Sequence, residues 1–393
     1  TPTLAMVVRR EEEINKFVSD PYFEINVLFT TNKGEYTGKY FDHNFKKVKE
    51  SQKFKESRIW DRDIALGIID EITGKEGKAS DETKTLSQSP PLLFDLTSLQ
   101  REANNRFGFS AKNTVGLAQA LYDRHKLITY PRTDSKFLPE DYISTVKETI
   151  SSLQSLPNYQ KHCSAVLRLN LFNNKHKVFN DKKVSDHFAI IPTGITHKKL
   201  SEPELKLFDL IVKRFLGIFL PPAKYLNTKR ITTVRNYTFK TEGKVLIEPG
   251  WQELYMDSKT MLRESLIALD ENVNVTCKNV KLDELETKPP AHYTEATLLS
   301  AMETAGKLVE DEIQREAMVE KGIGTPATRA GIIEELIKDN YLIRDGRDLL
   351  ISHSSSRLMQ LLDGLNIKEL SRADLTGEWE YKLKEIESGK IDK

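Results

Sequence analysis

One short stretch of this sequence orders reactive side chains in a way that chemistry can use. Leu127-Ile128-Thr129-Tyr130-Pro131-Arg132-Thr133-Asp134-Ser135 sets a phenol two residues before a guanidinium. Pro131 disfavours helical backbone at the residue before it, so Tyr130 is expected in an extended conformation. Residues two apart in an extended segment point to one side, which brings Arg132 beside Tyr130. A phenolate can attack phosphorus, and an arginine fork can bind the phosphate oxygens that gather charge during the attack. The pair therefore suits transesterification of a phosphodiester. Taken alone, such a stretch more often marks a core tyrosine in a loop beside a surface arginine.

The elements around this stretch follow from periodicity. Ser110 caps a helix that reaches about Lys126, with Val115, Ala118, Leu121 and Tyr122 as its expected buried stripe. Gln119 and Asp123 are four residues apart and share one face of it. Residues 1–20 read as a helix on Leu4, Val7, Val8, Ile14 and Phe17. From Tyr22 to Phe41 the pattern alternates, with Asn32-Lys33-Gly34 as a hairpin turn. A helix is expected over Ser57 to Ile72. Residues 73–91, rich in Lys, Glu, Ser and Thr and ending in Pro90-Pro91, read as a connector. Residues 92–220 are mainly helical in pattern. Pro221-Pro222 marks a boundary before strand-like sequence to about residue 286, and Lys288-Pro289-Pro290 opens a last helical region. There Thr325-Pro326 starts a helix to about Asn340. A hairpin follows, Tyr341 to Arg344 and Asp348 to Ile351 around Asp345-Gly346. Helix then hairpin is the layout of a winged-helix DNA-binding unit.

At 393 residues the chain has room for two to four domains. With 38% hydrophobic and 30% charged residues it reads as folded and polar rather than disordered, and no apolar run approaches the roughly 18 residues of a membrane helix. Cys163 and Cys277 are too few for a four-thiolate zinc site and suggest no disulfide framework, so a cytoplasmic protein is expected. A net charge of +1 argues against a surface that is basic throughout, but the charge is uneven. Ala223 to Lys244 carries six basic residues against one acidic, and so does Tyr159 to Val184. Asp61-Arg62-Asp63 mimics a metal-ligand spacing within a helical pattern and is not read as a metal site. Ala305-Gly306-Lys307-Leu308 lacks the upstream glycine and the following hydroxyl of a P-loop, so ATP is not expected. The chain opens on Thr1-Pro2-Thr3-Leu4 without a methionine and stops at Ile391-Asp392-Lys393, which reads as a piece of something longer.

Ile128 to Ser135 resembles the active-site signature of type IA DNA topoisomerases, in the proline form typical of topoisomerase III. Further motifs follow in the family's order. Thr1 to Ile14 is similar to the helix after the family's metal-binding domain, and Asp95-Leu96-Thr97-Ser98-Leu99-Gln100 to the entry of its nucleophile domain. Ser185-Asp186-His187-Phe188-Ala189-Ile190-Ile191-Pro192-Thr193 resembles its His-containing motif. Pro289 to Ala296, Gly322 to Ala330 and Thr376-Gly377-Glu378-Trp379-Glu380 resemble three later ones.

The resemblance implies a multidomain α+β protein with a toroidal core, a β-rich arch and helical, winged-helix-like DNA-binding domains. Residues 1–21 and 287–393 would form the base, 22–90 and 221–286 the arch, and 91–220 the nucleophile domain. It makes Tyr130 the nucleophile of a 5′-phosphotyrosine bond, Arg132 its support at the scissile phosphate, and His187 a contact near that phosphate. Gln119 and Asp123 match DNA-binding positions on the helix facing the site, where the family commonly has Glu in place of Asp123. Thr328 and Arg329 would hold the incoming single strand. Arg10 matches a basic position of the first helix, although Glu12 stands where the next basic residue is usual. The implied partners are single-stranded and negatively supercoiled DNA, acted on by a monomer that relaxes or decatenates without ATP. The family's Mg²⁺ ligands belong to an N-terminal Toprim domain absent from these residues, so the chain alone is expected to be inactive. Two other readings remain: a single-strand-binding clamp without catalysis, and a tyrosine recombinase-like strand transferase, which would attach to a 3′ phosphate instead.

Overall fold

The computed structural model describes residues 1–46, 53–169, 177–184, 186–195, 199–256, 266, 269, 272–305, 322–367 and 386. The chain divides into two compact units. One comprises Thr1–Lys16, Pro91–Leu220 and Pro290–Lys393; the other comprises Phe17–Pro90 and Pro221–Pro289. The motif at residues 376–380 lies outside the described residues, as does part of the basic stretch 159–184.

The second unit is a closed antiparallel barrel of six strands, β1 (Pro21–Thr31), β2 (Gly34–Tyr40), β3 (Glu76–Gln88), β4 (Ala223–Val234), β5 (Tyr237–Glu248) and β6 (Val273–Glu286). Their order around the barrel is β1-β2-β5-β4-β3-β6. Ile25, Val27 and Phe29 alternate into the core, where they meet Ala79, Val234, Phe239, Val275 and Cys277. A Cβ on Gly38 would lie 2.8 Å from the Phe29 ring, so only glycine fits this crossing. Closure also buries a charge. Arg230 is fully buried, forms a two-pronged bond to Asp81 at 2.7 and 2.9 Å, and lies 4.3 Å from the centre of the Tyr36 ring.

Two expectations fail in this unit. The stretch read as a connector is the thirteen-residue strand β3, paired with β4 from Lys78↔Thr233 to Gln88↔Ala223. Ala79 is its single buried side chain, so backbone pairing holds it and no apolar alternation announces it. Helix α1 spans Pro2–Asn15, and the helix expected from Ser57, α2, begins only at Arg62 and runs to Ile72. Asp61 caps it through Asp63 N–H at 2.8 Å, while Ile59 is still extended and bridges Phe23.

The first unit is helical: α1, then α3 (Leu96–Phe107), α4 (Ala111–Asp123), α5 (Ile143–Leu153), α6 (Pro157–Leu169), α7 (Glu202–Gly217), α8 (Glu295–Thr304), α9 (Pro326–Lys338) and α10 (His353–Gly364). A small sheet, β7 (Tyr293–Thr294), β8 (Leu342–Asp345) and β9 (Asp348–Ile351), has the order β7-β9-β8. Leu4, Val7 and Val8 of α1 pack with Leu298, Leu299 and Met302 of α8, Ile333 of α9, and Leu342 and Leu349 of the hairpin. Helix α9 and the β8–β9 hairpin thus follow one another as the sequence suggests, with a Thr325–Thr328 capping box at the helix start.

Candidate active site

Helix α4 is anchored at both ends. Ser110 Oγ accepts from Asn113 N–H at 3.1 Å, and Ala111 N–H donates to the buried Glu295 carboxylate at 2.6 Å. The helix stops at Asp123, three residues before the expected end. Leu127 N–H then bonds Leu121 O at 2.9 Å and Lys126 N–H bonds Tyr122 O at 3.2 Å, with Lys126 left-handed at φ 57°. This pair of reversed bonds turns the chain sharply into the Tyr130 segment. Its buried stripe is Ala111, Thr114, Ala118 and Leu121; Val115 and Tyr122, expected inside, are half-buried.

From Leu127 the chain is extended and laced to residues 187–193. Thr129 N–H bonds Ile191 O at 2.9 Å, Thr193 N–H bonds Leu127 O at 3.0 Å, and Ile128 bridges Pro192. Thr129 Oγ1 donates to Ala189 O at 3.0 Å and accepts from Ile191 N–H at 2.9 Å. Thr133 Oγ1 donates to the His187 carbonyl at 2.8 Å, and Thr133 O accepts from Leu96 N–H at 3.0 Å. Burial alternates: Pro131, Thr133 and Ser135 face in, while Arg132 and Asp134 are exposed.

Tyr130 is half-buried at this edge. The exposed His187 ring lies 4.3 Å from it between centroids, tilted by 47°, and the Tyr122 ring meets it edge-on at 5.4 Å. Gln119 Nε2 donates to Asp123 Oδ2 at 2.6 Å, so these two side chains do share a face. Gln119 Oε1 is buried without a hydrogen-bond partner among the described residues. Arg132 makes no hydrogen bond or ion pair to another described residue, which leaves its fork open to an anion. Tyr122, expected in the buried stripe of α4, instead flanks Tyr130. Its spacing of three from Gln119 was the available signal, since positions 119, 122 and 123 follow the i, i+3, i+4 pattern of one helix face.

The remaining candidates lie elsewhere in this unit. Arg329 is 3% exposed; its Nε donates to Ile323 O at 3.1 Å and its Nη1 to Thr97 Oγ1 at 3.0 Å. Burial lowers its pKa, against the pull of Glu303 and Asp95. As placed, it braces α9 against α3 from inside the protein. The Thr328 hydroxyl is occupied in the α9 capping box, accepting from Thr325 N–H at 2.9 Å. Arg10 bonds Ala291 O at 2.9 Å and Glu13 at 3.2 Å, and lies 4.5 Å from the centre of the Tyr293 ring. Near the start of α3, burial raises the Asp95 pKa while Lys136 Nζ, 3.4 Å away, opposes the shift. Among the described residues no group of three or more His, Cys, Asp or Glu side chains is arranged to hold a metal ion. The Asp61 carboxylate is engaged in the α2 cap.

A sequence model of the DNA topoisomerase family matches residues 1–393. The chain is 36% identical over 405 residues to DNA topoisomerase 3 of Bacillus subtilis and 37% identical over 402 residues to that of Bacillus licheniformis, in both cases covering 100% of this chain and 53% of the relative. It therefore spans about half the length of the curated relatives it matches. Among solved structures, full-length topoisomerase I from Thermotoga maritima superposes with a TM-score of 0.69 at 26% identity, over 100% of this chain and 59% of that one. The chain belongs to the type IA DNA topoisomerase family. No helix of the described residues is long and apolar enough to cross a membrane.

Proposed function

We propose that this chain carries the strand-cleaving half of a type IA topoisomerase, with Tyr130 as the nucleophile. The observation that carries the reading is the Tyr130 edge: a half-buried phenol packed between hydrogen-bonded segments, with His187 and Tyr122 against it. The Tyr130 oxygen would bond to phosphorus as the bond from phosphorus to the 3′ oxygen breaks. The 5′ phosphate then stays on the protein and the 3′ oxygen leaves with a proton. Arg132 would hold the non-bridging oxygens, and His187 and the Gln119–Asp123 pair would contact the strand nearby. Religation is the same exchange reversed, so the bond energy is conserved and no ATP is needed. Passage of a second strand between the steps would relax negatively supercoiled DNA or decatenate it.

The side chains of the described residues do not fit the family's Mg²⁺. We assign its ligands, and the donor that protonates the 3′ oxygen, to the part of the relatives that this chain does not span. The division into base (1–21 and 287–393), arch (22–90 and 221–286) and nucleophile domain (91–220), closed into a torus and working as a monomer on single strands, belongs to the same proposal. Thr328, Arg329 and Arg10 enter it as residues that order the strand path, Arg329 from beneath the surface. A plasmid relaxation assay tests the reading. The chain alone should leave negatively supercoiled DNA unchanged with or without Mg²⁺, and adding the portion of the relatives that it does not span, with Mg²⁺, should give relaxation. Mg²⁺-dependent relaxation by the chain alone would overturn the assignment of the metal to the other half.

A further inference from the structure

The bonds that end α4 force one residue into left-handed backbone, and that residue is Lys126, at φ 57°. Glycine is the usual occupant of this position and asparagine the usual substitute, because a Cβ is strained there. Among the described residues, five non-glycine residues have positive φ, and three of them are asparagines: Asn272, Asn340 and Asn366. The fourth, Arg235, occupies the tight turn between β4 and β5 and lies 3.8 Å from Glu71. Lys126 has no ion-pair partner among the described residues and is exposed. Its ammonium lies 5.4 Å from the centre of the Tyr122 ring, the ring that packs edge-on against Tyr130. The sequence thus keeps a charged side chain where the backbone favours none, one turn beyond Tyr122 and four residues before the nucleophile.

We propose that Lys126 is a phosphate-binding residue of the cleavage site, holding the backbone of the cut strand on the Tyr122 flank of Tyr130. Its charge complements an anion, it lacks the acidic partner that would neutralise it, and its aromatic neighbour keeps the stem directed along the site. The proposal rests on the reading of Tyr130 as the strand-binding edge.

The test uses the whole chain and a labelled single-stranded oligonucleotide, titrated across a salt series. Lys126→Gly and Lys126→Asn both suit the left-handed backbone and remove the charge, so folding is kept; Lys126→Arg keeps the charge. Each phosphate contact on a single strand contributes about 0.7 to the slope of log affinity against log salt. The Gly and Asn variants should bind several-fold more weakly at low salt with a slope shallower by about that amount. The Arg variant should match the unaltered chain. Lys16→Gln, which removes a surface lysine paired with Glu12 at 3.1 Å, should leave the slope unchanged. An unchanged slope in both Gly and Asn variants overturns the proposal, whichever way their melting temperatures move. An equal drop in Lys16→Gln also overturns it, by showing the effect to be general. If the unaltered chain itself shows no salt-dependent single-strand binding, the reading of the Tyr130 edge fails first and takes this proposal with it.

Discussion

The attack on phosphorus proposed for Tyr130 depends on holding its phenol in a fixed orientation. Here hydroxyls do much of the fixing. Thr129 and Thr133, both two residues or fewer from the inward Pro131, tie the segment to Ala189 and His187 by side-chain bonds that a β-branched apolar residue would lose. Thr133→Val keeps the shape and leaves the His187 carbonyl without its donor. We expect it to destabilise the first unit by about 1 kcal/mol and to lower cleavage more than strand affinity, because it loosens His187 rather than removing a contact. Thermal melting and oligonucleotide binding by the chain, paired with cleavage once the portion of the relatives that this chain does not span and Mg²⁺ are supplied, read both; equal losses of affinity and cleavage would show that Thr133 serves only folding. Much of this edge was legible in the sequence, since Pro131 and the spacing to Arg132 dictate an extended, alternating segment. The partner strand was not, because residues 187–193 are more than fifty positions away and no local pattern encodes that pairing. The motif resemblance named His187, but only the fold shows that its carbonyl is what Thr133 holds.

At the scale of elements, the end of α4 is fixed by the start of α7. Ser201 Oγ and N–H donate to Glu204 at 2.7 and 2.8 Å, and these bonds, with His125 and Arg124 adding to them, bring the Glu204 pKa down to about 2. A carboxylate whose pKa falls on folding adds stability above its unfolded value of about 4.5 and loses it as pH drops toward the folded value. The melting-temperature gap between the chain and Glu204→Gln should therefore be wide near neutral pH and narrow as pH falls from about 4.5 toward 2. A gap that does not depend on pH would contradict this. In the barrel, Arg230→Met leaves Asp81 without its partner and should cost roughly 3–5 kcal/mol, whereas Arg230→Met with Asp81→Leu should recover most of it. Denaturant melts of the two variants decide; equal losses would mean that packing of the Arg230 stem, not the pair, matters. The barrel was half-visible in sequence. β1 alternates plainly, but β3 buries one side chain and reads as polar linker, because strands held by their neighbours' backbones need no apolar face of their own.

At the scale of the whole molecule, two compact units are each built from interleaved chain segments, and the proposed substrate is a polyanion. Binding of single strands should weaken with salt at a slope of about 0.7 per phosphate contacted. Salt-independent binding, or preference for blunt duplex, would contradict a single-strand path along this protein. The central claim is that the cut strand becomes covalently attached to Tyr130 through its 5′ phosphate. The most direct measurement supplies the chain with the portion of the relatives that it does not span and with Mg²⁺, adds a single strand labelled at either its 5′ or its 3′ end, and traps adducts on a denaturing gel. With Tyr130 intact, label placed at the 3′ end should move with the protein and label at the 5′ end should be released. Tyr130→Phe should give no adduct while keeping single-strand affinity within a few-fold. An adduct that survives in Tyr130→Phe, or one that retains the 5′ label, would contradict the account.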